Sequence, residues 1–457
     1  MKVKKQLALM IAMLLPLAAS ADGVEIGGIY YTLTVRGDIK VAGVVQKPNK
    51  YSNDVDIPGA VSNGGVTYTV TRIENNAFKD CSGLTAVTIP NTVNYIGADA
   101  FKGCSGLTAV TIPNSVTRMG ASAFQNCTGL TSVTIPNSVT SIGLMAFQGC
   151  SGLTSVTISS SLTTIDTQLF YKCSSLTSVT IPNSVTSIGS YAFAECSSLT
   201  SATIPNSVTS IKHNAFRECS SLTSVTIPNS VTSIEASAFN KCTALTSITI
   251  PNTLTSIEET AFAYCSGLTS ITIPNTVTSI GQGAFENCSG LTAVTIPKSV
   301  KSIGKSAFYG CESLTSVTIP NSVTSIRELA FRDCKNLSEV RSKIRKPYVI
   351  GAGTGPYSAV FYGIPADATL YVPNGTKELY QATEGWKEFF ANIVESDDLS
   401  DIEGDLNGDE ELDVTDVVEL IDMVLAGTYD AVADINGDGE VDVTDVVELI
   451  DMVLAGE

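Results

Sequence analysis

Near its end, the 457-residue chain places side-chain oxygens at fixed intervals. Asp405, Asn407, Asp409, Asp413 and Asp416 stand at positions 1, 3, 5, 9 and 12 of one stretch, and Glu411 at position 7 offers its backbone carbonyl. Asp434, Asn436, Asp438, Glu440, Asp442 and Asp445 repeat that stretch 29 residues on. Calcium is a hard cation taking six to eight oxygens, and this spacing wraps the chain around one ion. The sequence therefore predicts two bound Ca²⁺ ions, one per loop. Position 6 wants a sharp backbone turn. It is Gly439 in the second loop but Glu410 in the first, so the first site is expected to bind less tightly.

Cysteine is the second reactive type. All twelve cysteines fall on one series from Cys81 to Cys334, with a constant step of 23. A phenylalanine precedes each by three residues and a leucine follows each by three. Equal spacing puts every cysteine at the same place in a stacked unit. In-register side chains then sit about 4.8 Å apart, wider than the roughly 3.5–4.5 Å Cβ separation of a disulfide. Buried free thiols are expected, with a few adjacent bridges as the alternative. No C-x-x-C pair occurs, which argues against structural zinc. His213 is the only histidine, which excludes a multi-His metal cluster. It stands at a position that varies from unit to unit, so a catalytic role is not expected.

The elements around these residues follow from periodicity. In Leu130-Thr131-Ser132-Val133-Thr134-Ile135, apolar and hydroxyl residues alternate as in a strand. Pro136 ends the ladder and Asn137-Ser138 supplies a turn. Val139 and Ile142 re-enter the core, and a short helical or 3₁₀ turn is expected to carry Ala146-Phe147 inward. One unit cannot bury its apolar side alone, so stacked units make a solenoid. The strand face carries two threonine columns, Thr88 to Thr318 and Thr85 to Thr315. They read either as β propensity or as a hydroxyl array for a repetitive ligand. After each calcium loop, Val417 to Leu425 and its twin Val446 to Leu454 have the three-and-four spacing of amphipathic helices.

Charge is unevenly spread. The net charge is −18, yet residues 397–457 hold 21 acids and no base. A strongly negative chain argues against nucleic acid and other polyanions. Residues 1–21 read as a signal peptide, with Lys2, Lys4 and Lys5, an apolar Leu7–Leu17 stretch and an Ala19-Ser20-Ala21 cleavage site. Secretion is expected, with a mature start at Asp22 and no membrane span. Arg36-Gly37-Asp38 spells an integrin-type tripeptide and equally a plain hairpin turn.

The repeat unit, with its L-x-x-V-x-I-P strand and I-G-x-x-A-F-x-x-C segment, resembles the BspA-like (Treponema pallidum type) leucine-rich-repeat surface proteins. The paired loops, with Asp at position 12, resemble the type I dockerin domain. Together these imply an α/β repeat fold, a leucine-rich-repeat solenoid with a parallel β-sheet face and β caps, plus a small all-α calcium-binding module. The expected boundaries are signal peptide 1–21, N-terminal cap 22–66, repeats 67–340, C-terminal cap 341–395, linker 396–404 and dockerin 405–457. The dockerin resemblance implies a cohesin partner, chosen in part through Val414, Thr415, Val443 and Thr444. The helical halves are identical, so docking in either orientation is implied. The resulting expectation is a secreted, non-enzymatic interaction or adhesion protein, with a host protein or glycan as ligand of the repeats. An accessory or catalytic component of polysaccharide degradation and a structural spacer are the alternatives.

Overall fold

The structure, a computed structural model, describes residues 23–47, 49–351, 359–399, 404–406, 412–427, 433–436 and 438–455. The expected signal peptide and the ligands Asn407, Asp409 and Glu411 lie outside the described residues. The fold is a parallel β-solenoid of about 14 turns set about 23 residues apart. It falls into two compact units, one reaching Pro274 and including Gly281–Leu291, the other comprising Asn275–Ile280 and Thr292 onward.

The first unit opens with six strands: β1 Val24–Ile26, β2 Ile29–Arg36, β3 Ile39–Val44, β4 Asn53–Asp56, β5 Ala60–Asn63 and β6 Val66–Ile73. β1, β2 and β3 form an antiparallel meander, and β5 pairs antiparallel with β6. β3 then pairs parallel with β6, and β6 with the strand of the first repeat. This switch from antiparallel to parallel pairing covers the edge that the first repeat would otherwise leave open.

Each turn contributes two short strands. Ser132–Thr134 pairs parallel with Ser155–Thr157, and Arg118–Met119 with Ser141–Ile142, each shifted by one unit. Leu130, Val133 and Ile135 are buried while Thr131, Ser132 and Thr134 are exposed, as the alternation requires. Ten phenylalanines from Phe78 to Phe285 stack with neighbouring centroids 4.9–5.8 Å apart. Each fully buried Phe or Leu adds roughly 1.5–3 kcal/mol of burial.

The expected helical turn is not there. The stretch around Ala-Phe is a chain of three-residue turns, such as Gln125 N–H to Ser122 O and Cys127 N–H to Phe124 O. The reason is backbone conformation. The residue two before each Phe and the residue before each Cys lie in the left-handed region, for example Ser122 at φ 55° and Asn126 at φ 59°. A right-handed helix cannot pass through such residues. The amides freed in this way donate to the next turn instead, Phe124 N–H to Ala146 O at 2.7 Å and Asn126 N–H to Gln148 O at 2.7 Å.

Pairing of the short strands is interrupted twice in the first unit, although the phenylalanines stay stacked across both places. Thr164–Ile165 does not pair with Ser141–Ile142, nor Ser178–Thr180 with Ser155–Thr157. Ser256–Ile257 likewise does not pair with Ser233–Ile234, nor Ser270–Thr272 with Ser247–Thr249. Each interrupted turn carries a leucine, Leu162 or Leu254, where the other turns carry valine. Leucine reaches one carbon further than valine at this buried position. The amides of Thr163 and Asp166 make no backbone hydrogen bond, whereas Thr186 and Gly189, one turn on, donate to Thr163 O and Ile165 O at 2.9 and 2.7 Å. A half-open hollow of about 130 Å³ lies at the second interruption, lined by Glu235, Leu254, Ser256 and Glu258 among others.

In the second unit, Ser316–Ile319, Glu339–Ser342, Thr369–Val372 and Asn392–Glu395 form one parallel sheet. The phenylalanine stack runs Phe308, Phe331, Phe361, so Val360-Phe361 takes the place of the repeated Ala-Phe. Trp386 is buried against Phe361 and Tyr380, its Nε1 donating to Tyr348 O at 3.1 Å. Helix α1, Lys377–Ala382, places Tyr380 there, and its hydroxyl donates to Ile344 O at 2.6 Å. Two further helices close the chain, α2 Val414–Ala426 and α3 Val443–Ala455. Among the described residues no helix is long and apolar enough to cross a membrane.

Candidate calcium loops and exposed repeat faces

The two loop-and-helix copies build one small core. Val417 and Leu420 of α2 meet Val446 and Leu449 of α3, with Ala433 and Ile435 between them. Gly404 is at φ 88°, and a Cβ there would come within 2.3 Å of Leu449 Cδ1, so the start of the first loop lies on the second helix.

Each loop is tied at its twelfth position. Asp416 is fully buried, and its carboxylate accepts from Leu406 N–H at 2.8 Å and Asp413 N–H at 3.0 Å. Asp445 is fully buried too, accepting from Asn436 N–H at 3.1 Å and Asp442 N–H at 2.9 Å. Asp413 caps α2, with Asp416 completing the capping box. The Thr415 hydroxyl, then its amide, donates to Asp413 and holds that carboxyl below its usual range. Thr444 does the same for Asp442. In the second loop Gly439 takes φ 90°, the sharp turn expected at position 6. Its amide donates to Asp434 at 2.9 Å, while the amides of Asp438 and Glu440 donate to Asn436 and Asp438.

The donor set fits a hard cation. Two fully buried carboxylates, Asp416 and Asp445, sit in a segment that contains no Lys or Arg to neutralise them. Buried charge needs a partner, and all the side chains at the ligand positions offer oxygen. Among the described residues no three His, Cys, Asp or Glu converge as a ready metal cluster. What the structure brings together is the looped backbone and its position-12 anchor.

Val414, Thr415, Val443 and Thr444 are exposed at the helix starts. The exposed apolar surface extends beyond these four residues. Val418, Ile421 and Leu425 continue the stripe on α2, with Leu425 81 % exposed, and Val447, Ile450 and Leu454 match it on α3. The signal was readable, since 414, 418, 421 and 425 share one helical face.

On the repeats, the two threonine columns differ. Hydroxyls of Thr131, Thr154, Thr177, Thr200, Thr223 and Thr246 donate to the preceding turn's threonine carbonyl at 3.0–3.4 Å. The column through Thr134, Thr157, Thr180 and Thr203 is exposed and makes no such bond. His213 is exposed; its amide donates to Glu235 at 3.0 Å and its ring meets Tyr191 edge-on. Gly37-Asp38 forms the two-residue turn of the β2–β3 hairpin, with Gly37 at φ 59° and Arg36 and Asp38 exposed.

The described BspA type leucine rich repeat region matches residues 71–197, 163–277 and 255–346, and the dockerin type I domain matches 403–454. A leucine-rich repeat protein from Bacteroides ovatus is 28% identical, with TM-score 0.63, covering 82% of this chain and 99% of its own. A leucine rich cell surface protein from Faecalibacterium prausnitzii is 29% identical, with TM-score 0.48, covering 83% and 97%. No curated protein matches the chain.

Proposed function

The chain belongs to the BspA-type leucine-rich-repeat proteins, and from that membership, with the dockerin match, we propose a non-catalytic interaction protein attached to a cohesin-bearing scaffold. The repeats supply a binding surface and the C-terminal module supplies the tether. The single observation that carries the tether is the duplicated loop and helix, each copy with a buried position-12 aspartate and an exposed apolar stripe. Asp405, Asn407, Asp409, Glu411, Asp413 and Asp416 would hold one calcium ion, and Asp434, Asn436, Asp438, Glu440, Asp442 and Asp445 a second. The ion would supply the positive charge that the segment lacks, drawing the carboxylates together and fixing the loops. Val414, Thr415, Val443 and Thr444 would then meet cohesin together with the apolar stripes behind them. Secretion and a place in a polysaccharide-degrading assembly belong to the same proposal, as do the domain boundaries at 66, 340, 395 and 404.

The test is binding of the full chain to a panel of immobilised type I cohesin modules, with and without chelator. Calcium-dependent capture that survives loss of Thr415 or Thr444 alone, but not of both, is expected. Capture unaffected by chelator, or by removal of residues 404–457, would show that the tether lies elsewhere.

A further inference from the structure

The overall negative charge hides a reversal of sign within the repeats. From Lys298 to Lys346 stand ten Lys or Arg against four Asp or Glu, a net +6. Residues 22–297 carry twelve bases and fifteen acids. In those earlier turns charges pair across the stack: Lys79 with Asp99 at 3.0 Å, Lys172 with Glu195 at 3.6 Å, Lys212 with Glu235 at 2.8 Å and Lys241 with Glu218 at 2.9 Å. Past Lys298 one such cross-turn pair appears among the described residues, Lys335 with Glu312 at 2.6 Å. Lys298, Lys301, Lys305, Arg327 and Lys346 are exposed, and their side chains have no ion-pair partner among the described residues.

These cations share one edge of the second unit. Lys298 and Lys301 bracket the turn that follows a strand, and Lys301 O accepts from Thr324 N–H at 2.9 Å one turn on. Arg327 N–H donates to Ile303 O at 3.0 Å, which sets Arg327 beside the Gly304-Lys305 step. Lys343 N–H donates to Ile319 O at 2.9 Å, so the segment leading to Lys346 runs along the Pro320-Asn321 turn, the next equivalent of the Lys298 turn. Successive turns advance by about 4.8 Å. The result is a run of positive charges along consecutive turns, with Glu328 the one acid among them.

We propose that this edge binds an extended anionic polysaccharide of the uronic-acid class. A row of charges suits a linear polyanion better than a single anion. Six of the ten bases are lysine, a point charge that accepts carboxylate at many angles, where a phosphate-reading surface favours the arginine fork. Aromatic platforms that stack nucleic-acid bases are missing from the row: Tyr309 is half-buried, and the Tyr348 hydroxyl is bound to Val323 O at 3.0 Å. Exposed strand-face hydroxyls such as Thr295 lie next to the row in sequence and can meet sugar hydroxyls. This binding is separate from the cohesin tether, and either can fail without the other.

The calcium-loaded full chain is run by affinity electrophoresis through gels containing polygalacturonate or a neutral glucan, at about 50 and about 300 mM salt. Retardation by polygalacturonate alone, lost at the higher salt, is expected. Lys298→Gln with Lys301→Gln and Lys305→Gln should weaken it by roughly ten- to a hundredfold, by the usual worth of a basic side chain at an anionic surface. Lys40→Gln with Lys47→Gln, in the N-terminal cap, should leave it unchanged. The acidic module repels the polymer equally in every variant, so the comparison is internal. If the triple variant melts early, Arg327→Gln with Lys346→Gln replaces it. No retardation, or equal loss in the cap variant, overturns the proposal. Equal or tighter binding to single-stranded DNA or to anionic phospholipid vesicles overturns the assignment to a glycan.

Discussion

Each cysteine sits where a charge is hardest to place. Cys104 Sγ–H donates to Phe78 O at 3.0 Å, and the same bond recurs one turn on from Cys127 to Phe101 at 3.1 Å. All twelve are free and buried, as the constant step implied. Burial pushes the Cys104, Cys150, Cys196, Cys265 and Cys334 thiols up from 9.0 to about 12. A raised folded value leaves stability intact below the unfolded value, and stability falls as pH climbs towards the folded one. One unit above the unfolded value, each such thiol favours unfolding by about 1.4 kcal/mol. The column should therefore make the repeats sensitive to alkali, with the melting temperature falling steeply between pH 9 and 12. Replacing Cys150, Cys173 and Cys196 with Ala should flatten that fall; an unchanged slope would mean the thiols are not its cause. Thiol reagent at neutral pH should label few sites in the native protein and close to twelve after denaturation without reductant. The left-handed residues make a second prediction. Met145 at φ 61° occupies the place that Gly283 fills at φ 58° in another turn. A β-branched residue tolerates this region worst. Met145→Val should cost about 1–2 kcal/mol in chemical denaturation, while Met145→Gly should be near neutral, since relief of strain offsets its added freedom when unfolded.

The ladders are the elements that this repetition builds, and they are strongest where the sequence is most uniform. At Leu162 the Thr163 and Asp166 amides lack the cross-turn bonds that Thr186 and Gly189 make. Amide exchange should therefore be faster at Thr163 and Asp166 than at their counterparts one turn on, because local opening breaks fewer bonds. Leu162→Val should let the turns close and slow exchange at Asp166; faster exchange there would show that leucine fills the gap rather than causing it. Most of this was legible in the residues. Leu, Val, Ile, Phe and Cys columns announced a stacked core, and alternation placed Thr134 outside and Val133 inside. The valine-to-leucine changes were equally visible, but their effect depends on how two turns meet, which one unit cannot reveal. The missing helical turn was hidden for a related reason. Ser122, Met145 and Gln168 carry no sign of a left-handed backbone, and they adopt it because their amides pair with the following turn. The spacing on which the calcium proposal rests is legible in the sequence alone, since its residues lie within one short stretch. The apolar stripe on α2 was overlooked because its residues look like core until Val417 and Leu420 are seen to fill that place.

At the scale of the molecule, two kinds of stability share one chain. The repeats rest on stacked apolar columns, which need no ligand. Among its described residues the terminal module has six buried core residues, Val417, Leu420, Ala433, Ile435, Val446 and Leu449, a small core to set against the conformational entropy of ordering it. It also bears 21 acids and no base between residues 397 and 457, so its own charge opposes compaction. Chelation should then remove the signal of α2 and α3 while the strand signal of the repeats persists. Calcium should restore the helices, and added monovalent salt should restore them only in part, because screening relieves repulsion without filling the loops. The loops should respond unequally. Gly439 already holds the turn that position 6 demands, whereas the first loop has Glu410 there. Asp434→Ala or Asp445→Ala should therefore lower calcium affinity at the tighter site, by roughly tenfold or more as for loss of a charged ligand. The matching changes at Asp405 and Asp416 should act on the weaker site. Asp416 and Asp445 carry an added cost, because each also ties two loop amides. Titration calorimetry of the full chain separates these effects. Two ions per chain, with the weaker step removed by Asp405→Ala and the tighter by Asp434→Ala, is the expected outcome. A single ion in the unaltered chain would contradict the paired-loop reading, and helices that persist in chelator would show that the small core suffices without metal.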